Sequence, residues 1–558
     1  MTQLFDRNRA LLDGALQAMK TRAFWTPFPE VPSGRFYGET ARQDGEVAFS
    51  DLLGKSFELN GHPCEYHVGK EQSPWDLDLD VTYPAAPVET LIAASQSAFD
   101  DWSETSVEMR VGVLLETLVR LNKMSFLIGH ATVHTTGQGF PMAFQAGGPH
   151  AQDRGLEAVA AAYAELTATV DRATWEKPQG RIEPIVLEKQ WSLVPRGIAL
   201  AIGCNTFPCW NAYPGLFASL ATGNTVIVKP HPMAILPLAI TVRVLRQVLE
   251  EEGLPADTVL LAADEPEAQV SKDLVQAPEI KLIDYTGSSH FGNWIRSHAG
   301  DALVFTEETG VNSVVITGTD DFPGMCANLA FSLALYSGQM CTSPQNIYVP
   351  ESGIVTNEGH KSFDDVFAGI ADAIDELLAD PKQAPGICGT IVNPATMDRL
   401  HRARSVGRVL RDSGETGIGR SATPLIVAVG EEDMLHKDEC FGPVVFGIAT
   451  RTPEAAIDQA AGLAKEKGAI TAALYARDPG LIDTAAKAFC HAGVNLSVNL
   501  TGNIYVNQSA AFSDFHVTGA NPAGNASLTD TAFVAPRFRR VMVRWPKALD
   551  NQSVSARG

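Results

Sequence analysis

The sequence predicts an α/β fold in which a parallel sheet is covered by helices on both faces. From Gly197 onward, short apolar runs alternate with segments that carry apolar residues at helical spacing, such as 232–252. The runs are continuously apolar, as expected for strands that are buried on both sides. Parallel sheets of this kind bind their ligands at the carboxyl ends of the strands. The strand candidates are residues 197–203, 225–230, 258–263, 281–287 and 313–317.

The region before Gly197 is predicted to be mostly helical. Apolar residues recur at helical spacing in 7–22, 88–130 and 151–170. Residues 181–195 instead alternate between apolar and polar side chains, which predicts a strand pair or a hairpin.

A second α/β block is predicted from about 318 to 510, after the first set of strands. The chain then ends in a β-rich segment, 539–546, which has two interpretations. It is either a strand that pairs with another chain in an oligomer or an edge strand within its own domain, and the pattern favours neither. The strand candidates of the second block are residues 345–349, 424–429, 444–449 and 470–476.

Composition and charge restrict the class of protein. A chain of 558 residues is too long for one ordinary core and suggests two or three domains. No run approaches the roughly 20 apolar residues of a membrane span, and the first residues lack the apolar block of a signal peptide, so we expect a cytoplasmic protein without membrane contact. The net charge of −22 argues against nucleic-acid binding.

The eight cysteines are scattered, with no CxxC pair and no metal-like cluster with histidine, so we expect no metal site. In a reducing compartment each cysteine is either a small buried hydrophobe or a nucleophile. Cys341 stands out because it lies among small polar residues after an apolar helical stretch, 324–337. A thiolate there would be both a strong nucleophile and a good leaving group, as acyl transfer requires.

Three further features suggest ligand chemistry, each with an ordinary structural alternative. Glu307 and Glu308 could supply a general base for water or form an exposed turn, and the sequence does not choose between the two glutamates. The turn at 286–292 could place a helix N-terminus under a phosphate or be an ordinary turn. Lys229 ends a buried strand, where its charge needs a partner such as a cofactor ribose or phosphate.

Together these residues resemble the aldehyde dehydrogenase superfamily. The motifs FP (207–208), GNTVIVKP (223–230), TGS (286–288), GQMC (338–341) and ECFGPVV (439–445) occur in the family's order. Two spacings agree without gaps: 21 residues from Pro208 to Lys229, and 34 residues from Glu307 to Cys341. The motifs span about 195–450, and their joint occurrence is far more specific than any one of them.

The resemblance implies a Rossmann-type cofactor domain, an α/β catalytic domain and a small β element for oligomerisation into a homodimer or homotetramer. It implies a division into an NAD(P)-binding domain (1–176 and 197–307), a catalytic domain (308–515) and oligomerisation or bridging segments (177–196 and 516–558). Cys341 matches the nucleophile that forms a thioester with an aldehyde, and Glu307 matches the base that activates the hydrolytic water. The residues implied to bind the cofactor are Thr206, Phe207, Lys229, His231, Gly287, Ser288, Glu439 and Phe441.

The chain departs from the family pattern at three places. Thr206 occupies the position of the asparagine whose amide binds the oxyanion, and we expect Asn205 to take that role. The family's K-P-S-E reads Lys229-Pro230-His231-Pro232, so the glutamate that holds the adenosine ribose is missing, which favours NADP over NAD. The family's E-L-G-G reads E-E-T-G at 307–310, and its late P-F-G-G motif is not recognisable, so the substrate side is unusual.

Over its full length the chain is most similar to the PaaN group of phenylacetic acid degradation proteins, through RNRALLDGALQAMKTRAFW, IGCNTFPCWNAYPG and EETGVNS. That likeness implies a semialdehyde from aromatic-acid breakdown, either free or linked to coenzyme A. Two alternatives stay open. One is acyl transfer to free coenzyme A, although an acid at 307 favours water as the acceptor. The other is a catalytically impaired cofactor-binding scaffold.

Overall fold

A computed structural model of the chain describes residues 3–308, 310–430, 433–527 and 530–547. None of the helices in these ranges is both long and apolar enough to cross a membrane. The α-helices are α1 (Gln3–Thr21), α2 (Gly34–Tyr37), α3 (Ala41–Ser50), α4 (Val88–Glu104), α5 (Val107–Lys123), α6 (Ser125–Thr136), α7 (Phe140–Gly147), α8 (Pro149–Leu166), α9 (Pro208–Ala221), α10 (Leu236–Glu251), α11 (Val270–Gln276), α12 (Ser289–His298), α13 (Phe322–Ala334), α14 (Phe363–Leu377), α15 (Ala384–Cys388), α16 (Ala395–Arg404), α17 (Pro453–Lys467), α18 (Pro479–Ala492) and α19 (Thr531–Val534). The strands are β1 (Tyr66–Val68), β2 (Tyr83–Ala85), β3 (Arg172–Gln179), β4 (Ile182–Pro195), β5 (Ile198–Ile202), β6 (Thr225–Lys229), β7 (Val259–Leu261), β8 (Ile280–Gly287), β9 (Leu303–Glu308), β10 (Ser313–Ile316), β11 (Gly318–Thr319), β12 (Asn346–Pro350), β13 (Ile354–Thr356), β14 (Gly359–Lys361), β15 (Arg408–Arg411), β16 (Leu425–Val429), β17 (Val444–Thr450), β18 (Thr471–Tyr475), β19 (Asn495–Val498) and β20 (Phe538–Pro546).

A five-stranded parallel sheet has the order β7-β6-β5-β8-β9, and it confirms the predicted strands from 197 to 287. Alternate side chains of these strands enter two different cores. Ala199 and Val226 pack with α9 and α10, whereas Leu200 and Ile227 pack with α4, α11 and α12. Both faces are therefore covered, which explains why the strands read as continuous apolar runs. The edge strand β9 was not predicted, because its apolar run stops after Phe305.

The second sheet has seven strands in the order β15-β16-β17-β12-β10-β18-β19, and only β15 runs antiparallel to its neighbour. The strands predicted between 345 and 476 are all present. The sequence pattern predicted residues 313–317 as a further strand of the first sheet, and this prediction is wrong. As β10 it pairs with β12 and β18 at the centre of the second sheet.

The third sheet is antiparallel and has the order β20-β4-β3. The strand pair predicted within 181–195 is instead one long strand, β4, whose hairpin partner is the unpredicted β3 on the other side of Gly180, which adopts the left-handed conformation (φ 71°) at the turn. The tail strand β20 pairs with β4 of its own chain, from Phe538 opposite Pro195 to Pro546 opposite Leu187. Of the two interpretations of 539–546, the edge strand within its own chain is the one observed. Residues 548–558 of the predicted bridging segment lie outside the described residues.

A buried ion pair ties the segment before β20 to the first sheet. The Arg537 guanidinium is fully buried and donates to both carboxylate oxygens of Asp284 on β8, at 2.7 and 2.6 Å, and to Ser219 Oγ at 2.7 Å. A bidentate pair of this kind fixes direction as well as distance. It therefore holds the chain end against the strand that leads to the predicted phosphate turn.

Removing the charge of Asp284 should destabilise the fold strongly. Asp284→Asn leaves the buried guanidinium of Arg537 uncompensated, and we expect a loss of about 3–5 kcal/mol, measured as a lower urea midpoint. Asp320→Asn is the matched control, because Asp320 pairs with Arg477 on the surface at 2.6 Å and such exposed pairs contribute below ~1 kcal/mol. Equal shifts in the two variants would contradict the assignment.

Candidate active site

Cys341 is presented by a tight turn that follows α13. Tyr336, Ser337 and Gly338 all adopt the left-handed conformation, with φ of 51°, 50° and 63°. A Cβ on Gly338 would lie 2.5 Å from the carbonyl oxygen of Gly442, so only glycine fits this approach. Left-handed backbone at non-glycine residues is strained, and such strain concentrates at functional sites.

A buried carboxylate and an imidazole lie next to the sulfur. Glu307 is the penultimate residue of β9 with 1% of its surface exposed, and its Oε1 lies 2.8 Å from Nε2 of His516. The same Nε2 lies 3.7 Å from Cys341 Sγ, and the three functional atoms are within 4.8 Å of one another. Asn211 donates to the other carboxylate oxygen of Glu307 at 3.2 Å. The two residues that the sequence predicted as nucleophile and base are thus brought together.

The surroundings hold Cys341 as a thiol. Burial, and then the negative charge of Glu307, raise the pKa of the Cys341 thiol well above its usual value. Only the thiolate is a strong nucleophile, so attack on a substrate requires that the thiol proton be removed within the site.

His516 is the site residue that the sequence analysis missed, since the predicted division placed it in a bridging segment. It lies between β19 and α19 in a segment that is bonded to β9. Asn525 accepts from the Thr306 amide at 2.8 Å and donates to the Val304 carbonyl at 2.7 Å. His516 lies 175 residues from Cys341 in the chain, so no local pattern could have revealed this contact.

Lys229 has a partner within the chain. It ends β6, and its buried ammonium donates to Asp264 Oδ1 and to the Pro230 carbonyl, both at 2.6 Å. Burial lowers the pKa of Lys229, and the charge of Asp264 opposes that effect. Asp264, just beyond β7, therefore supplies a partner for this charge within the chain, and the contact of Lys229 with a cofactor stays a prediction. A carboxylate therefore stands at this edge of the sheet although the K-P-S-E glutamate is missing.

His231 lies next to this pair and is half-buried. Burial, and then the positive charge of Lys229, lower the pKa of His231 to about 4, so its imidazole is neutral at neutral pH. Its Nδ1 accepts from the Met233 amide at 3.2 Å. His231 therefore offers no positive charge to an additional phosphate.

The predicted phosphate turn connects β8 directly to the N-terminus of α12. A Cβ on Gly287 would clash with the Tyr285 hydroxyl, which donates to the Ser288 carbonyl at 2.9 Å. The Ser288 hydroxyl caps α12 by accepting from the Phe291 amide at 3.4 Å. The geometry matches the strand–turn–helix arrangement in which helix N-termini bind phosphate.

Glu439 and Phe441 lie beside the sulfur. They line the same cavity as Cys341, where the Glu439 side chain is exposed and Phe441 is half-buried. Their loop is fixed from both sides, because Gln345 accepts from the Cys440 amide at 2.6 Å and Arg399 donates to the Phe441 carbonyl at 2.9 Å. A ring bound against these residues would therefore lie next to Cys341.

Asn205, Thr206 and Phe207, which precede α9, form their hydrogen bonds with residues other than Cys341. The Asn205 amide donates to the Thr135 carbonyl at 3.3 Å, and the Thr206 carbonyl accepts from Gln138 at 2.8 Å. Phe207 caps α9, and its amide donates to Cys204 Sγ at 3.4 Å. The oxyanion role of Asn205 and the cofactor roles of Thr206 and Phe207 stay predictions, since none of these contacts reaches Cys341.

Comparison with solved structures identifies the fold. An NAD-dependent aldehyde dehydrogenase from Burkholderia multivorans is 51% identical, with a TM-score of 0.96 over 98% of this chain and 99% of its own. A 1-pyrroline-5-carboxylate dehydrogenase variant from Thermus thermophilus is 17% identical and shares the fold, with a TM-score of 0.73 over 94% of this chain and 99% of its own. The predicted fold class is confirmed.

Sequence comparisons agree. The 1-pyrroline-5-carboxylate dehydrogenase 2 of Bacillus subtilis is 25% identical over 538 residues, which cover 91% of this chain and 95% of that protein. The sequence profile described as "Aldehyde dehydrogenase family" matches residues 82–524, well over half of the chain. The chain therefore belongs to the aldehyde dehydrogenase family and is an NAD(P)-dependent oxidoreductase that acts on aldehydes.

Proposed function

We propose that Cys341 forms a thioester with the aldehyde and that Glu307 activates the water that releases the carboxylic acid. One observation carries the proposal: Cys341 Sγ lies within 4.8 Å of the buried Glu307 carboxylate, and Cys341 lines a cavity together with Glu439 and Phe441. A nucleophile, a base and the two residues expected to hold the nicotinamide end thus lie around one cysteine, as a dehydrogenation followed by hydrolysis requires.

The described residues fit a dinucleotide. The carboxyl ends of β6 and β8 carry Lys229 and Gly287 at one edge of the sheet, where dinucleotides bind in doubly wound folds. Lys229 would contact the adenosine ribose, the turn at Gly287 and Ser288 would hold the pyrophosphate, and Glu439 and Phe441 would hold the nicotinamide end. When bound, NAD(P)⁺ supplies the hydride acceptor that converts the covalent adduct into the thioester.

The chain's own residues perform the remaining chemistry. The Cys341 sulfur attacks the aldehyde carbon, and the oxyanion is held by the Cys341 backbone N–H together with the Asn205 amide. Glu307 then takes a proton from water, which attacks the thioester and expels the thiolate. Asn211, which donates to Glu307, orients the carboxylate for that step.

We further propose that the enzyme prefers NAD, in contrast to the NADP preference that the missing glutamate suggested. The Asp264 carboxylate is 2.6 Å from Lys229 Nζ and would repel the 2′-phosphate of NADP, while it can accept from the 2′-hydroxyl of NAD. The neutral imidazole of His231 offers no compensating charge.

Asp264→Asn should relax this preference. The amide keeps an acceptor for Lys229 but removes the negative charge, so the ratio of kcat/KM for NADP to that for NAD should rise by about tenfold or more. Steady-state rates with each cofactor measure the ratio. Glu265→Gln is the matched control, because Glu265 pairs instead with Lys70 on the surface at 2.6 Å. A wild-type enzyme that prefers NADP would contradict the proposal.

The substrate that we propose is a semialdehyde from aromatic-acid breakdown, free or linked to coenzyme A. It is supported by the likeness to the PaaN group over RNRALLDGALQAMKTRAFW and EETGVNS. The relative from Bacillus subtilis, named as a 1-pyrroline-5-carboxylate dehydrogenase, suggests a small amino-acid semialdehyde as the competing class.

A panel of aldehydes tests both the activity and the substrate class. NADH formation is measured with aliphatic, aromatic, amino-acid and coenzyme A-linked semialdehydes, each with and without free coenzyme A. A higher kcat/KM for the aromatic-acid class supports the proposal, and product that appears only with free coenzyme A would favour the acylating alternative. Absence of NADH with every aldehyde would favour the scaffold alternative.

Oligomerisation through the third sheet is also part of the proposal, with a homodimer or homotetramer as its product. β20 is an edge strand of that sheet, and Val541, Met542 and Val543 expose 50%, 40% and 46% of their surface. An apolar edge of this kind favours pairing with a second copy. The three predicted domain divisions and the cytoplasmic location stay predictions.

A further inference from the structure

We propose that His516 is a catalytic residue that carries the thiol proton of Cys341 to the carboxylate of Glu307. The inference rests on the proposed function, since it assigns the step that prepares the nucleophile. It answers a difficulty in the site itself: burial and the charge of Glu307 both keep the sulfur protonated, while catalysis needs the thiolate.

One ring nitrogen faces both partners. Nε2 of His516 lies 3.7 Å from Cys341 Sγ and 2.8 Å from Glu307 Oε1. The S–H bond breaks as an N–H bond forms on Nε2. That N–H bond then breaks as an O–H bond forms on Glu307, which returns the imidazole to its starting form.

The transfer moves a charge without creating one. Before it the negative charge lies on the Glu307 carboxylate, and afterwards it lies on the Cys341 sulfur. The net charge of the buried site is unchanged, so the transfer avoids the desolvation cost of generating a new charge. Glu307 then releases the proton to solvent before it acts as a base on water, which matches the proton that aldehyde oxidation produces.

The ring is held by packing and not by a hydrogen bond at its other nitrogen. Trp210 packs edge-on against His516, with ring centroids 4.4 Å apart and an interplanar angle of 76°. Within the described part of the chain, His516 Nδ1 is buried and has no hydrogen-bond partner. A hydrogen bond at Nδ1 would fix the tautomer of the ring. Without one, the ring can carry its proton on Nδ1, and in that tautomer the Nε2 lone pair accepts the thiol proton and then passes it to Glu307.

Few other charges act on the ring. The groups that face it are the Glu307 carboxylate of β9 and the thiol of Cys341. Arg154 of α8 lies behind the Trp210 ring, 5.1 Å from its centroid, and pairs with Glu157. Because that guanidinium is already neutralised, the Glu307 carboxylate is the acceptor that drives the transfer.

The relay and simple electrostatics predict opposite results for Glu307→Gln. If the carboxylate acts on Cys341 only by repulsion, its removal lowers the pKa of the thiol and speeds thiolate formation. If His516 delivers the proton to Glu307, the same change removes the acceptor and slows thiolate formation. The direction of one rate change therefore separates the two explanations.

The experiment measures alkylation of Cys341 by iodoacetamide in the full-length protein, without substrate or cofactor, from about pH 6 to about pH 10. Mass spectrometry of the Cys341 peptide gives the rate. In both His516→Gln and Glu307→Gln, we expect the rate at pH 7 to fall by about tenfold or more and to approach the wild-type rate at high pH. The controls are Glu308→Gln and His436→Gln, since His436 is also buried with an unpartnered Nδ1.

Faster alkylation in Glu307→Gln than in the wild type would overturn the relay, as would an unchanged pH profile in His516→Gln at an unchanged melting temperature. If His516→Gln does not fold, His516→Asn takes its place in the same assay, because slower alkylation in Glu307→Gln alone would also follow from direct proton transfer to the carboxylate. Because no aldehyde or cofactor is present, failure of the relay is distinguishable from failure of the proposed dehydrogenase function, which would appear as absent NADH formation.

Discussion

Cys341→Ala is expected to abolish aldehyde oxidation, with kcat lower by a factor of about 10⁴ or more. Alanine removes the sulfur that forms the proposed covalent adduct, and a nucleophile that defines the reaction path has no partial substitute. Binding of NADH, followed by its fluorescence, should persist, because Lys229 and the turn at Gly287 lie on the first sheet and do not depend on the sulfur.

Two other cysteines make this test specific. Cys490 is exposed at the surface, so Cys490→Ala controls for the loss of a reactive thiol outside the site. Cys204 lies close to Cys341, and its sulfur contacts the Phe207 amide. Retained turnover in Cys341→Ala together with lost turnover in Cys204→Ala would move the nucleophile to Cys204 and refute the proposed mechanism.

Much of the fold could be predicted from local pattern. β5 and β6 are buried on both faces, so all of their residues except Thr225 and Lys229 are apolar and the runs are visible without alignment. The β character of β4 was visible because polar and apolar side chains alternate over 181–195, although its partner β3 was not predicted. Each of these patterns lies within a single strand, where the order of apolar and polar residues directly reflects which side chains are buried.

Sheet membership could not be predicted in the same way. β10 looks like one more strand of the first series, but it pairs with β12 and β18, which lie about 30 and 160 residues further along the chain. β9 was missed because an edge strand is half exposed and ends in two glutamates. Both errors concern which strands become neighbours, a property that local periodicity does not contain.

The residues of the candidate site likewise fall into those that local motifs predict and those that only the fold brings together. Cys341 and Glu307 belong to motifs with fixed spacing, so their meeting could be expected. Asp264 and His516 could not be expected, because each meets its partner only through the fold: Asp264 meets Lys229 across two neighbouring strand ends, and His516 meets Cys341 across 175 residues. These two unpredicted residues carry the cofactor preference and the proton relay that we propose.

Glu307→Gln should stall the enzyme after the first turnover. Water needs a general base to attack the thioester, and loss of such a base typically costs ~10²–10⁴ in rate. Glutamine preserves the shape of the side chain and can still bond to Asn211, so the effect isolates the charge. At high pH, where hydroxide can remove the thiol proton without a relay, we expect a burst of one NADH per active site followed by a slow steady state.

Mass spectrometry should then find the acyl group on the Cys341 peptide of the stalled enzyme. The matched control is Glu308→Gln, because Glu308 is equally buried but pairs with Arg296. The sequence alone left the choice between these two glutamates open, and the structure places only Glu307 within 4.8 Å of the sulfur–imidazole pair. An acyl-enzyme that accumulates in Glu308→Gln, with normal turnover in Glu307→Gln, would show that the base has been assigned to the wrong carboxylate.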